Sequence, residues 1–170
     1  MKRIITTALM LTFIVACSFA QSIVGSWKTT PETFAAMGLP EGSTGAVFFN
    51  FKKDKTCTVD LDISVEQATP QFTMKMRIKA MIPGTYSATS STLKGVFNAQ
   101  KMTCDIDLSF PGMDAATEKQ IMQLMNAQLP ALKQQMKNEL AKSIGKPMEG
   151  QYSIEGDILT ADNITLKRVK

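Results

Sequence analysis

The chain predicts a mainly-β fold, an antiparallel barrel with a helical segment at about residues 114–144 inserted before the last hairpins. Apolar and polar residues alternate with period two through six segments between Gly45 and Phe110. Turn-forming residues break those segments at short intervals, and one long later stretch changes to the helical period. Eight or nine strands in 170 residues leave unpaired sheet edges unless the sheet closes on itself. One apolar face per strand fits a barrel with an apolar interior. A two-sheet sandwich is the alternative.

The N-terminus reads as an export signal. Lys2 and Arg3 precede the apolar run Ile4 to Ala16, which is too short to span a bilayer. Two ends to the signal compete. Ser18-Phe19-Ala20 places small residues where signal peptidase needs them, making 1–20 the signal and 21–170 one domain. Ile14-Val15-Ala16-Cys17 resembles a lipobox, making 1–16 the signal and Cys17 an acylated N-terminus. The expected destination is the periplasm or, through that lipid, the membrane-anchored envelope. No later segment is apolar enough to cross a bilayer, so a lipid on Cys17 is the only expected membrane attachment. Lys2 and Arg3 supply two of the four net positive charges. The near-neutral remainder argues against nucleic acid, which requires a concentrated basic surface.

Gly25-Ser26-Trp27 opens the first strand. Thr30 caps a short helix with Pro31 at its first position, and Gly38 with Pro40 stops it. The strand segments then follow, separated by Lys53-Asp54-Lys55, Thr69-Pro70-Gln71, Pro83-Gly84, Ser90-Ser91-Thr92 and Ala99-Gln100-Lys101. Alternation puts Cys57, Val59, Leu61, Ile63 and Val65 on one face, with Asp60 and Asp62 opposite. Phe72, Met74, Met76, Ile78, Ala80 and Ile82 share a face whose reverse carries Lys75, Arg77 and Lys79. Those cations are expected to pair across the sheet with Asp60 and Asp62. Cys104, Ile106, Leu108 and Phe110 again face inward. Cys57 and Cys104 therefore both point into the core, as a disulfide if they meet in an oxidising compartment or as two buried thiols if they do not.

From Asp114, a plausible N-cap, Ile121, Met125, Leu129, Leu132, Met136, Leu140 and Ile144 form one apolar stripe. Pro130 predicts a kink or two abutting helices, and Gly145 and Pro147 a stop. Two tight turns, Gly156-Asp157 and Asp162-Asn163, divide the remaining residues into three strands.

The placement of Gly25-Ser26-Trp27 resembles the G-x-W signature of lipocalin-like (calycin) barrels. The tail "YSIEGDILTADNITLKR", Tyr152 to Arg168, is similar to the closing hairpins of small bacterial lipocalin-like envelope proteins. The resemblance implies that Gly25, Trp27 and Arg168 close one end of the barrel, with the Arg168 side chain packed on the indole. Two features depart from it. The middle T-D-Y motif has no match, and the helical segment precedes the final hairpins instead of following the eighth strand.

The sequence has no histidine, which removes the usual general base and the commonest metal ligand. Asp60/Asp62 and Asp105/Asp107 each share a strand face, a spacing also found in acid–base couples and calcium sites, but they lie opposite apolar residues and read as solvated outer faces. No nucleophile elbow, phosphate loop or dinucleotide motif occurs. The expectation is a non-enzyme without cofactor or metal. Ten of the twelve methionines follow the signal region. Adaptable thioethers among aromatic and branched residues suit a small hydrophobic or lipid-like ligand. The expected lining is Phe49 or Phe51, Leu61, Ile63, Phe72, Met74, Met76, Ile78 and Ile106. The competing reading is a packed barrel that presents its helix to an envelope partner not identified by the sequence.

Overall fold

A computed structural model of the chain describes residues 22–70, 72–144 and 147–170. The export signal, both of its candidate ends and Cys17 lie outside the described residues. The strands are β1 (Gly25–Thr29), β2 (Ser43–Phe51), β3 (Thr56–Ala68), β4 (Thr73–Ala88), β5 (Thr92–Phe97), β6 (Thr103–Ser109), β7 (Met148–Glu155), β8 (Ile158–Ala161) and β9 (Ile164–Arg168). Helix α1 (Pro31–Ala35) follows β1, a 3-10 turn (Ala99–Lys101) precedes β6, and α2 (Ala115–Ile144) joins β6 to β7.

Eight strands close in the order β1, β2, β3, β4, β5, β7, β8, β9 and back to β1, all antiparallel. The closing pair excludes the sandwich. β6 stands outside the ring. It pairs with Lys75 to Met81 of β4, whereas β5 pairs with Gly84 to Ala88 of the same strand. The long β3–β4 hairpin, the start of β2 and β6 thus extend one wall of the barrel into a four-stranded flap.

The change of partner along β4 occurs at Pro83-Gly84, where the sequence predicted a break between two strands. The strand continues instead. Pro83 has no N–H to give to a ladder, and its carbonyl accepts from the Asn98 amide at 2.8 Å. A Cβ at Gly84 would lie 2.6 Å from the Val96 carbonyl oxygen and 2.7 Å from Phe97 Cδ1, so only glycine lets β5 approach there. Proline and glycine act here as a switch of neighbours within one strand.

The register confirms the predicted faces. Val59, Leu61, Ile63 and Val65 oppose Ile82, Ala80, Ile78 and Met76. On the reverse face Asp62 accepts two hydrogen bonds from Arg77, 2.9 Å from Nε and 2.7 Å from Nη2, and Lys75 lies 3.0 Å from Glu66. Asp60 pairs differently from the expectation. Its carboxylate accepts from Asn50 Nδ2 and Thr58 Oγ1.

The two thiols do not meet. Cys57 lies opposite Gly84 and Cys104 opposite Ala80, on either side of β4 and four positions apart along it. That is roughly 13 Å along the sheet plus about 9 Å across it, against the roughly 7 Å between Cα atoms that a disulfide tolerates. Both cysteines are free.

Helix α1 is capped as predicted, the Thr33 amide donating to Thr30 Oγ1 at 3.3 Å. The Thr33 hydroxyl and the Thr165 backbone exchange hydrogen bonds of 3.0 and 3.1 Å, fixing the helix to β9. Phe34 then packs with Ile63 and Val65 under the flap. Helix α2 is capped by Asp114, whose Oδ1 accepts from the Ala116 and Thr117 amides. It packs against β6 and the 3-10 turn, with Lys133 3.6 Å from Asp105. It continues through Pro130 as one element, in place of the two abutting helices the sequence allowed. Ile121, Met125, Leu129 and Met136 are half-buried, but Leu132 is 37 % exposed. The side chains of Leu140 and Ile144, and the predicted stop at Gly145, lie outside what is described.

Candidate functional site

The lumen of the ring is built by alternation. Register places Trp27 opposite both Phe49 and Arg168, Phe51 opposite Cys57, and Leu159 opposite Ile154 and Leu166, so every second residue of each strand points inward. At one end Trp27 is completely buried, and its indole N–H donates to the Ile23 carbonyl at 2.7 Å. The Arg168 guanidinium lies 4.1 Å above the ring and donates to the Val24 and Ser22 carbonyls at 3.1 and 2.9 Å. Gly25 has φ +136°, and a Cβ there would stand 2.9 Å from Arg168 Nη1. The three residues of the G-x-W and last-strand pattern thus form one plug, in which the glycine makes room for the arginine that covers the tryptophan.

Above this plug the lumen holds a cavity of about 430 Å³. Phe49 and Phe51 of β2, Leu93 and Phe97 of β5, Leu159 of β8 and Leu166 of β9 line its body. Its exposed rim is formed by Pro147, Met148 and Glu149 at the start of β7 and by Asp162 and Ile164 at the β8–β9 turn. A cleft of about 640 Å³ also lies beside α1, but it is outside the ring and bordered by the outward-facing Lys28 and Lys167. The lumen is the site with a continuous apolar lining.

The structure divides the residues expected to line a binding site. Phe49 and Phe51 both face the cavity, while the preceding Phe48 points outward with Lys28 Nζ 5.8 Å from its ring centroid. Leu61, Ile63 and Met76 pack with Phe34 and Leu39 of the α1 region. Met74, Ile78 and Ile106 belong to the flap, and Phe72, 37 % exposed, makes an edge-to-face contact with Phe110 at 5.9 Å. None of these seven lines the lumen cavity. The sequence reading missed Leu93, Phe97, Met148, Leu159, Ile164 and Leu166. The signal was present in the alternation of Met148, Gly150, Tyr152 and Ile154 and of Leu159 and Ala161, which marks an inward face as clearly as that of β3.

The polar groups around the lumen are quiet. The Tyr86 hydroxyl donates to the Lys52 carbonyl and the Tyr152 hydroxyl to the Thr89 carbonyl, each at 2.8 Å. Burial pushes the Cys57 thiol up to about 11, and it also raises the half-buried Cys104 despite the nearby Lys133. Both cysteines are therefore protonated near neutral pH and poor nucleophiles. Among the described residues no group of three His, Cys, Asp or Glu side chains gathers as a metal site.

No protein-family model matches the chain, and no curated protein or solved structure matches it either.

Proposed function

We propose that this chain is an exported, non-enzymatic, lipocalin-like barrel that takes a small hydrophobic or lipid-like molecule into its lumen. The observation that carries the reading is the cavity of about 430 Å³ lined by Phe49, Phe51, Leu93, Phe97, Leu159 and Leu166 inside a ring plugged at one end. Its size and lining fall in the range of small-molecule sites. Stacking of Arg168 on Trp27 beside Gly25 supports the lipocalin-like part of the proposal, because it gives the short sequence signature a mechanical role. Two unactivated thiols and the absence of histidine from the sequence support a binding role over catalysis.

Displacement of a hydrophobic dye, together with native mass spectrometry of protein purified from its own cells, tests the reading. A bound apolar guest, released when Ala161→Phe fills the lumen, is the expected outcome; no uptake by the intact protein sinks it. Intact mass of the mature chain tests export, with Gln21 or an acylated Cys17 expected as the first residue.

A second reading has its own observation. No described residue of α2 is fully buried, and Leu124 is 70 % exposed, so the helix retains apolar surface that the barrel does not use. On that reading the barrel is a structural support, and α2 meets an envelope partner.

A further inference from the structure

The lumen is apolar, but its rim is acidic. Asp162 begins the two-residue turn between β8 and β9, where Ala161 pairs with Ile164. Its φ of +49° is a left-handed conformation that aspartate tolerates better than most residues. The side chain leans over Gly150 of β7: a Cβ at that position would lie 2.5 Å from Asp162 Oδ2. Gly150 stands between the inward-facing Met148 and Tyr152, so the carboxylate lies across the wall of the cavity mouth. It has no ion pair or hydrogen bond among the described residues. The other carboxylate in the lining, Glu149, is engaged with Lys94 at 3.2 Å. No lysine or arginine among the described residues lines the cavity.

From this placement we infer that the guest of the lumen carries a protonated amine at one end of an apolar body, the amine meeting Asp162 at the rim. The inference rests on the ligand-binding reading above and names its chemical class. The apolar part leaves water along Phe49, Phe51 and Phe97, and the ammonium remains at the mouth, where the free carboxylate offers an opposite charge and an acceptor. A guest ending in a carboxylate would bring a like charge to the same place and is disfavoured for that reason. Gly150 is part of the device, because any larger residue there would push the Asp162 carboxylate off the wall.

The test is displacement of the neutral dye phenylnaphthylamine by dodecylamine, dodecanol and dodecanoate below their micellar concentrations. The full chain is used at neutral pH, and Lys146, which precedes Pro147 and lies outside the described residues, is kept in every variant. Dodecylamine is expected to displace the dye at about fivefold lower concentration than dodecanol, the upper range for an exposed ion pair, with dodecanoate weakest. Asp162→Asn should erase the advantage of the amine and leave dodecanol unchanged, and Asp162→Lys should make dodecanoate the best of the three. Dye uptake with no preference for the amine, or a preference that survives Asp162→Asn, overturns this inference and leaves the lumen reading standing. No uptake of dye at all overturns both.

Discussion

The ring and the flap are built from the same alternating strands, yet they use their apolar faces differently. In the ring, eight strands enclose their inward residues, and Trp27 and Leu159 reach near-zero exposure. In the flap, β2, β3, β4 and β6 form an open wall whose apolar face needs other elements to cover it. Phe34 and Leu39 of the α1 region pack against part of it, while α2 packs against β6 and the 3-10 turn without fully burying any described residue of its own. Closure makes burial a property of the sheet itself. An open extension depends on whatever packs against it, so it is expected to be the less stable half of the molecule.

The largest expected difference is kinetic. Cys57 lies in the ring beside Phe51 and Tyr86, whereas Cys104 lies in the flap and is half-exposed. In the native protein Cys104 should react with a thiol reagent at least about a thousandfold faster than Cys57, whose exposure requires global opening. Equal rates would erase the distinction between the halves, and loss of both thiols on denaturation without a reductant would reinstate the disulfide. Next in size is Trp27→Ala, which empties the plug and should cost about 3–5 kcal/mol in chemical denaturation. Arg168→Met keeps much of the side-chain volume but removes the cation above the indole and two hydrogen bonds, with an expected cost of about 1–3 kcal/mol. A negligible loss in either variant would mean that the plug does not hold the ring closed. The smallest effect is assigned to Leu124→Ala on α2, below about 0.5 kcal/mol in the same measurement, because the side chain is already in water. A larger loss would show that the helix contributes to the stability of the fold.

Much of this architecture is legible in the sequence. Alternation separated the two faces of β3, of β4 as far as Ile82 and of β6 as the register has them, because a period of two leaves no choice once one face is apolar, but it left Tyr86 of β4 without a face. The caps at Thr30 and Asp114 were readable for a similarly local reason: a side-chain oxygen meets an amide two or three residues away. The plug was readable only through likeness to a known pattern, since nothing local says that residue 25 must be glycine for the sake of residue 168. Pro83-Gly84 misled because the same dipeptide ends a strand in a turn and changes its neighbour in a sheet.

By itself, then, the sequence determined how each strand divides into an apolar and a polar face, most of the places where the chain turns and that a helical segment interrupts the strands, all consequences of backbone geometry over a few residues. Only the tertiary structure decided which inward faces share a cavity. Strand alternation is blind to whether a wall closes. Phe49 and Phe51 entered the lumen because β2 meets β1 beside them, and Met74, Ile78 and Ile106 were left on the flap because β6 takes the edge of β4 that β5 occupies in the ring. The same pairing across the ring brought Asp162 over Gly150, a neighbourhood set by the meeting of distant strands.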